Sequence, residues 1–225
     1  MQKIYKPNGL LVRDERDIIL RDCFEKIIKS QLEYHLKKIN RAFEFIKIEA
    51  SQITPLEYIN ENYTTDDYYD VWENLVLRPE TTMWSYEYAK YILNPHNKPK
   101  YNMPIVVRQH WKSFRKEQDK TLENMRLKEF YQLEFQIIYS ESTSNDYHTE
   151  VVEIVRWIIN AMVWDCYTIP SDRLPNYSEK TTDIQMSDND MEVSSISLRK
   201  DYPWAKVVEV AIGTDRLIYN FNLNL

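Results

Sequence analysis

The stretch from residue 129 to residue 139 alternates strongly between polar and apolar side chains, and this pattern constrains the fold more than any other. A period of two places one set of side chains on a single face of a β-strand. The apolar set is Leu133, Phe135, Ile137 and Tyr139. Further strands are predicted near residues 104–111, 181–186, 191–198 and 206–211. Because regular helical crossovers do not separate the strands, the sequence predicts an α+β fold with a largely antiparallel sheet flanked by helices.

Amphipathic helices account for much of the remaining chain. Apolar residues recur every three or four positions from residue 14 to residue 43, which predicts a long helix. A strand over 44–50 follows, and Pro55 breaks the pattern. Shorter helices are predicted over 82–93, over 150–163 and from Thr214.

Two other stretches have weaker patterns. Val71 to Leu77 predicts one short strand. Tyr167 to Asp190 is rich in Pro, Ser, Asp and Asn, which predicts mostly loop. A length of 225 residues suits one domain with a substantial core, so we expect a single domain over residues 1–225.

The composition is that of a soluble globular protein, with 43% hydrophobic and 28% charged residues. No stretch reaches the roughly 20 apolar residues of a membrane span, and residues 1–6 lack the apolar run of a signal peptide. We therefore expect a cytoplasmic protein with no membrane partner. Cys23 and Cys166 are expected to be buried thiols, too few for a disulfide framework or a cysteine zinc cluster.

Glycine is scarce, and this restricts how a nucleotide can bind. Gly9 and Gly213 are the two glycines of the chain. A Gly-rich phosphate loop of the P-loop or dinucleotide-binding type is therefore excluded. Side chains and a helix N-terminus would have to hold the phosphates instead.

Three arginines on adjacent predicted elements suit the activation of a carboxylate by ATP. The reaction builds charge on phosphoryl oxygens, and the planar arginine fork matches phosphate. Arg115, Arg126 and Arg216 can supply these cations. Phe130 can stack on adenine, and Glu192 can hold Mg²⁺ between phosphates. Arginine–glutamate pairs at such spacings are also common as surface ion pairs, so the spacing leaves both interpretations open.

The order of three segments resembles the class II aminoacyl-tRNA synthetases. Arg115-x-Glu117, a loop and Arg126-x-x-x-Phe130 resemble motif 2 of that class. Gly213-Thr214-Asp215-Arg216-Leu217 resembles motif 3, a strand that runs into a helix. The first helix, strand 44–50 and Pro55 resemble motif 1. Because motif 1 forms the dimer interface in this family, the resemblance implies a homodimer.

Within the class, the chain is most similar to the glycyl type, ahead of the threonyl and prolyl types. Leu77-Arg78-Pro79-Glu80-Thr81 resembles the Arg-Pro-Glu-Thr segment before motif 2. Further similar segments are residues 109–115, residues 130–134, Met191-Glu192 and residues 196–202. The resemblance covers most of the chain, from about residue 14 to residue 221.

The resemblance implies how ATP is bound. Arg115 would contact the α-phosphate, and Arg126 and Arg216 would contact the terminal phosphates. Arg115 and Arg216 are therefore the implied catalytic residues. Phe130 would stack on adenine, and Glu117 would accept a hydrogen bond from its amino group.

The resemblance also implies an amino-acid pocket and a metal ligand. Glu80, Thr81 and Glu134 would line the pocket. Glu192, with Glu209, would help to place Mg²⁺ or the substrate amino group.

Three residues depart from the glycyl pattern near the expected pocket. Trp84 and Trp111 stand where the pattern has glycine, and Ala211 stands where it has serine. We expect the two rings to shape or fill the pocket and the lost hydroxyl to weaken substrate binding. The departures therefore predict that glycine is not the substrate.

Two functions follow from the resemblance. The first is an enzyme that uses ATP and Mg²⁺ to form an aminoacyl-adenylate and passes the acyl group to a tRNA end, a carrier protein or a small amine. The alternative is a non-catalytic dimeric module that binds a partner. The three arginines and Phe130 favour the enzyme. Since the chain stops soon after motif 3, no anticodon-binding domain is expected.

Overall fold

The computed structural model describes residues 3–5, 8–97, 101–116, 125–144, 147–172 and 174–223. These residues form four α-helices: α1 (Glu15–Ile39), α2 (Thr82–Leu93), α3 (His148–Val163) and α4 (Thr214–Leu223). The first strands are β1 (Lys3–Tyr5), β2 (Leu10–Val12), β3 (Glu44–Lys47), β4 (Ile53–Pro55), β5 (Tyr69–Trp72) and β6 (Leu75–Leu77). The later strands are β7 (Ile105–Phe114), β8 (Glu129–Tyr139), β9 (Cys166–Pro170), β10 (Ser178–Met186), β11 (Glu192–Arg199) and β12 (Lys206–Gly213).

Seven strands form the main sheet, in the order β3-β7-β8-β12-β11-β10-β9. All neighbouring pairs are antiparallel except β3 and β7, which run parallel. Two small antiparallel sheets, β1-β2 and β4-β6-β5, lie outside it. The prediction of an α+β fold with a largely antiparallel sheet is confirmed.

The back face of the sheet carries the main hydrophobic core. The alternation in β8 puts Leu133, Phe135 and Ile137 on this face, all of them fully buried. Helices α1, α3 and α4 cover it with apolar side chains such as Ile28 and Val155. Burial of each such side chain contributes about 1.5–3 kcal/mol. The front face therefore remains available for polar residues.

A second, smaller cluster seals one end of the front face. Helix α2 packs Tyr86, Ala89 and Ile92 against Val107 of β7 and Val207 of β12. The prediction of a helix over residues 82–93 is confirmed at both ends. This packing places the N-terminus of α2 beside the middle of the sheet.

Other predicted elements differ from the structure. The single strand predicted over 71–77 is wrong, because a turn at Asn74, with φ of 56°, splits the stretch into β5 and β6. The strand predicted near 181–186 is confirmed as part of β10, but the mostly loop prediction for the rest of 167–190 missed β9, which pairs with β10. Cross-strand pairing with β11 stabilises β10 despite its polar sequence.

The two cysteines differ in exposure. Cys166 is buried, as expected, but Cys23 is exposed because it lies on the solvent side of α1. No helix among the described residues combines the length and apolar character needed to cross a bilayer.

Candidate active site

Polar side chains occupy the front face of the sheet at alternate positions of four strands. In β8, Gln132 and Glu134 alternate along the strand with the back-face residues Leu133 and Phe135. The same alternation applies to the neighbouring strands. Their front-face residues are Thr181, Asp183 and Gln185 in β10, Ser195 and Ser197 in β11, and Glu209 and Ala211 in β12.

A cleft of about 600 Å³ opens over this polar face, and we call it the front cleft. A smaller cavity of about 100 Å³ adjoins it, and we call it the arginine cavity. Arg115, Arg126, Glu192 and Arg216 line both, so the two spaces are adjacent. Phe130 lines the arginine cavity. The structure thus brings together five of the residues predicted to bind ATP.

Arg115 follows β7 and is held by contacts on two sides. Its Nε donates to the carbonyl of Pro79 at 3.0 Å, and its Nη2 donates to the hydroxyl of Tyr63 at 2.9 Å. Its guanidinium carbon lies 5.2 Å from the centroid of the Phe130 ring. Contacts within the protein therefore orient the arginine beside the aromatic ring.

Arg216 reaches the arginine cavity from the first turn of α4. Its Nη1 donates to the backbone carbonyl of Glu192 at 2.8 Å. The Glu192 carboxylate lies 4.0 Å from the same nitrogen and is half-exposed. Gly213 lies under the aliphatic part of Arg216, where a Cβ atom would be 3.5 Å from the arginine Cδ.

Three glutamates meet at the other end of the front cleft. Glu134 is buried and accepts hydrogen bonds from the hydroxyls of Thr81 and Thr82. Glu209 accepts from the Thr82 hydroxyl at 2.8 Å and from Gln136 at 2.7 Å. Glu80 accepts from the Tyr63 hydroxyl at 3.2 Å, and its other oxygen is buried with no hydrogen-bond partner among the described residues.

The environment of these carboxyls disfavours their charged forms. Burial, with the charges of Glu209 and Glu80, raises the pKa of Glu134 to about 8. Burial also raises the pKa of Glu80. Arg199 supplies positive charge nearby, donating to Glu209 at 2.8 Å, but it also donates to Asp201 at 2.6 Å. A positively charged group beside these carboxyls would favour their charged forms, so the cluster suits a ligand that carries an ammonium group.

Thr81 supports the site from behind. Its side chain is fully buried and donates to Glu134, and its carbonyl accepts from Gln109 at 2.9 Å. Thr81 stands at the N-cap of α2, but its side chain makes no capping hydrogen bond. The hydroxyl therefore orients a cleft carboxyl and leaves the helix end without its usual cap.

Trp84 and Trp111 lie away from the front cleft, in contrast to the role expected for them. Trp84 turns toward Tyr58, and the ring centroids are 5.5 Å apart in an edge-to-face contact. Trp111 stands on β7 beyond the residues that pair with β3, where it borders grooves at the sheet edge. The expectation that these rings fill the pocket is not supported. Ala211, in contrast, lines the cleft.

Glu117, expected to bind the adenine amino group, lies outside the described residues. Among the residues that are described, no group of three or more His, Cys, Asp or Glu side chains is arranged to hold a metal ion. As a single carboxylate, Glu192 could share Mg²⁺ with phosphate oxygens, since Mg²⁺ commonly uses one or two carboxylates together with substrate phosphates.

Three residues that contact the site were not predicted from the sequence: Tyr63, Tyr177 and Arg199. Tyr63 links Arg115 to Glu80 through its hydroxyl, and Tyr177 stacks 3.8 Å from the Arg199 guanidinium. Both tyrosines lie in loops, where no periodic pattern signals a direction. Arg199 could have been predicted, because it continues the alternation of Ser195 and Ser197 along β11 and so lies on the same face of the strand.

Comparisons with known proteins find relatives in sequence and in fold. A glycine–tRNA ligase from Mycobacterium bovis is 28% identical over 148 residues, which are 62% of this chain. The chain spans about 28% of the length of that relative. No protein-family model matches the chain.

Solved structures show the same fold at low sequence identity. A prolyl-tRNA synthetase from Cryptosporidium parvum, in complex with halofuginone and AMPPNP, superposes with a TM-score of 0.71 at 14% identity. That match covers 98% of this chain and 49% of the other. A pyrrolysyl-tRNA synthetase from Desulfitobacterium hafniense superposes with a TM-score of 0.62 at 16% identity, covering 85% of this chain and 67% of the other.

Proposed function

We propose a function for this chain from the premise that it has a class II aminoacyl-tRNA synthetase catalytic core. The proposed function is ATP-dependent activation of an amino acid as its adenylate, followed by transfer of the acyl group to an acceptor such as a tRNA end or a carrier. The observation that supports it is the front cleft, lined by Glu80, Glu134 and Glu209, beside an adjacent cavity lined by Arg115, Arg126 and Arg216.

The two ends match the two charges of an amino acid. The ammonium group would bind among Glu80, Glu134 and Glu209, three carboxyls that line the same cleft. The carboxylate would then point along the cleft toward Arg115 and the α-phosphate of ATP. Strands β8 and β12 carry Glu134 and Glu209. Hydrogen bonds to backbone carbonyls hold Arg115 and Arg216 at the other end. Such fixed positions favour the alignment that the reaction needs.

In the proposed reaction, a carboxylate oxygen attacks the α-phosphorus of ATP. The bond from that phosphorus to the bridging oxygen breaks, and pyrophosphate leaves. Arg115 would stabilise the charge on the α-phosphoryl oxygens, and Arg126 and Arg216 the charge on the leaving pyrophosphate. Mg²⁺, held by Glu192 and phosphate oxygens, would add further positive charge there. Phe130 would stack on the adenine.

The residues that line the front cleft do not exclude glycine as the activated amino acid. The tryptophans that argued against glycine lie outside the cleft, so they no longer exclude it. Ala211 still places a methyl group in the lining where the glycyl pattern has a hydroxyl. Glycine therefore belongs in the substrate screen.

The direct test is amino-acid-dependent exchange of pyrophosphate into ATP, screened across the amino acids with and without tRNA. Exchange with one amino acid would support the proposal. ATP binding without exchange for any amino acid would favour the non-catalytic module. Failure to bind ATP with Mg²⁺ would contradict both the enzyme and its assigned ATP site.

A variant at the adenine position sharpens this test. We expect Phe130→Ala to weaken ATP binding by about tenfold, because cation–π and stacking contacts contribute about 1–2 kcal/mol. Phe114→Ala is the matched control, since this half-buried phenylalanine of β7 lines neither cavity. Titration calorimetry with ATP and Mg²⁺ measures both. Equal affinities for the two variants would argue against the assignment of Phe130.

A further inference from the structure

Arg13 lies outside the segments that the proposed function uses, but its side chain is buried against the start of α4. It follows β2 directly, and its side chain is 9% exposed. Its Nε and Nη2 donate to the two carboxylate oxygens of Asp215 at 2.8 and 2.7 Å. The Asp215 side chain is 4% exposed. Such two-point pairing fixes both groups in orientation as well as distance.

The sheet holds the same turn of α4 from the other side. The backbone N–H of Tyr131 donates to Asp215 Oδ2 at 2.8 Å. The Thr214 hydroxyl donates to the Tyr131 carbonyl at 3.2 Å and lies 3.1 Å from Nε2 of His110. The first two residues of α4 are thus bonded both to β8 and to Arg13, and Arg13 also contacts β8, with its Nη1 3.7 Å from the Glu129 carboxylate.

Arg216 is the next residue of the helix, and its side chain enters the arginine cavity. Its hydrogen bond to the Glu192 carbonyl holds the far end of the side chain. The position of its Cα and Cβ atoms depends on the backbone of the first turn of α4. An arginine that must meet phosphate oxygens is sensitive to small displacements of that backbone.

We propose that Arg13 is a positioning residue for Arg216. By pairing with Asp215, it holds the first turn of α4 so that the Arg216 guanidinium faces the terminal phosphates of ATP. This role rests on the proposed function, because that function assigns the terminal phosphates to Arg216. It adds the segment before α1 to the elements that build the ATP site.

The test removes both charges together. Arg13→Met alone would leave Asp215 buried without its cation and destabilise the fold. The double variant Arg13→Met/Asp215→Asn avoids this and keeps an acceptor for the Tyr131 N–H. We expect its KM for ATP in pyrophosphate exchange to rise about tenfold, the loss of roughly one charge-assisted contact. The KM for the amino acid should change less than about twofold, because the glutamate end is untouched.

Two further variants complete the design. Arg21→Met is the matched control, because Arg21 lies over the same Tyr131 ring, at 4.4 Å, but pairs with Asp22 and makes no hydrogen bond to α4. It should leave the KM for ATP unchanged. Arg13→Lys keeps the charge but not the two-point geometry, so its KM for ATP should lie between those of the parent and the double variant.

The outcomes separate this role from the proposed function. If the parent chain binds no ATP, the proposed function and this role are both overturned. If the parent binds ATP and the folded double variant has the same KM for ATP, the role of Arg13 is overturned and the function stands. If the double variant does not fold, Arg13→Lys decides, and an unchanged KM for ATP in that variant overturns the role.

Discussion

The pKa values of two glutamates are shifted in opposite directions because the groups around them differ. Glu25 of α1 is surrounded by cationic side chains, and hydrogen bonds from His110, Lys47 and Arg108 hold its pKa well below the ordinary value despite partial burial. Glu134 is buried beside two other carboxyls, and its pKa is raised to about 8. At neutral pH the first is therefore charged, and the second is largely protonated until a cation arrives.

The raised pKa of Glu134 gives a pH dependence of stability with a defined sign. Between its ordinary pKa of 4.5 and its folded value of about 8, the folded state retains a proton that the unfolded state has lost. Stability therefore falls as the pH rises through this window, by up to about 1.4 kcal/mol per pH unit. We expect Glu134→Gln to flatten the slope, measured as melting temperature from pH 5 to pH 8.

A surface glutamate provides the control for this measurement. Glu179 of β10 is exposed, so Glu179→Gln should keep the slope of the parent. Parallel slopes for the parent and Glu134→Gln would show that Glu134 does not cause the pH dependence.

At the scale of elements, a single buried arginine joins the segment after β3 to the main sheet. Arg78 is 1% exposed, and its guanidinium donates to the carbonyls of Ala50, Ser51 and Lys112 at 3.1–3.2 Å. Burial lowers its pKa to about 10, so it remains charged at neutral pH. The arginine therefore bonds backbone carbonyls of two separate segments, residues 50–51 and Lys112 of β7.

This contact predicts a large effect for a conservative change. Arg78→Lys keeps the charge but cannot span the separated carbonyls, so buried acceptors lose their donors. We expect a loss of about 3 kcal/mol in the free energy of unfolding, since each unsatisfied buried group costs about 1–3 kcal/mol. Urea denaturation measures it, with Arg41→Lys at an exposed position as the control. A loss no greater than that of the control would refute this role of Arg78.

At the scale of the whole molecule, α1 leaves apolar side chains uncovered. Ile19 is 55% exposed, Ile27 43% and Tyr34 55%, and they lie on the side of the helix away from the core. A cluster of this kind usually marks an interface. It agrees with the homodimer that the motif 1 resemblance implies, which stays a prediction.

We expect the chain to sediment as a dimer at micromolar concentration. Ile27→Glu should weaken the dimer at least about a hundredfold, because two-fold symmetry brings the charge into the interface twice. Leu174→Glu, in an exposed loop between β9 and β10, is the matched control and should leave the dimer intact. A parent chain that sediments as a monomer would rule out the interface.

The sequence by itself determined the two faces of the main sheet strand β8 and, through the motif resemblance, five residues that line the arginine cavity. Alternation at period two is a local property, so the back-face positions of Leu133 and Phe135 could be predicted without knowing any partner. The order of the motifs then placed Arg115, Arg126 and Arg216 on elements that meet in this fold.

Tertiary structure alone decided what lies beside those residues. Trp84 and Trp111 have sequence positions near the pocket, but packing against Tyr58 and along the open edge of β7 turns them elsewhere. Tyr63 and Tyr177 reach the site from loops, and the Arg13–Asp215 pair joins residues 202 positions apart. Such contacts depend on how distant segments pack together, and no pattern within one segment encodes them.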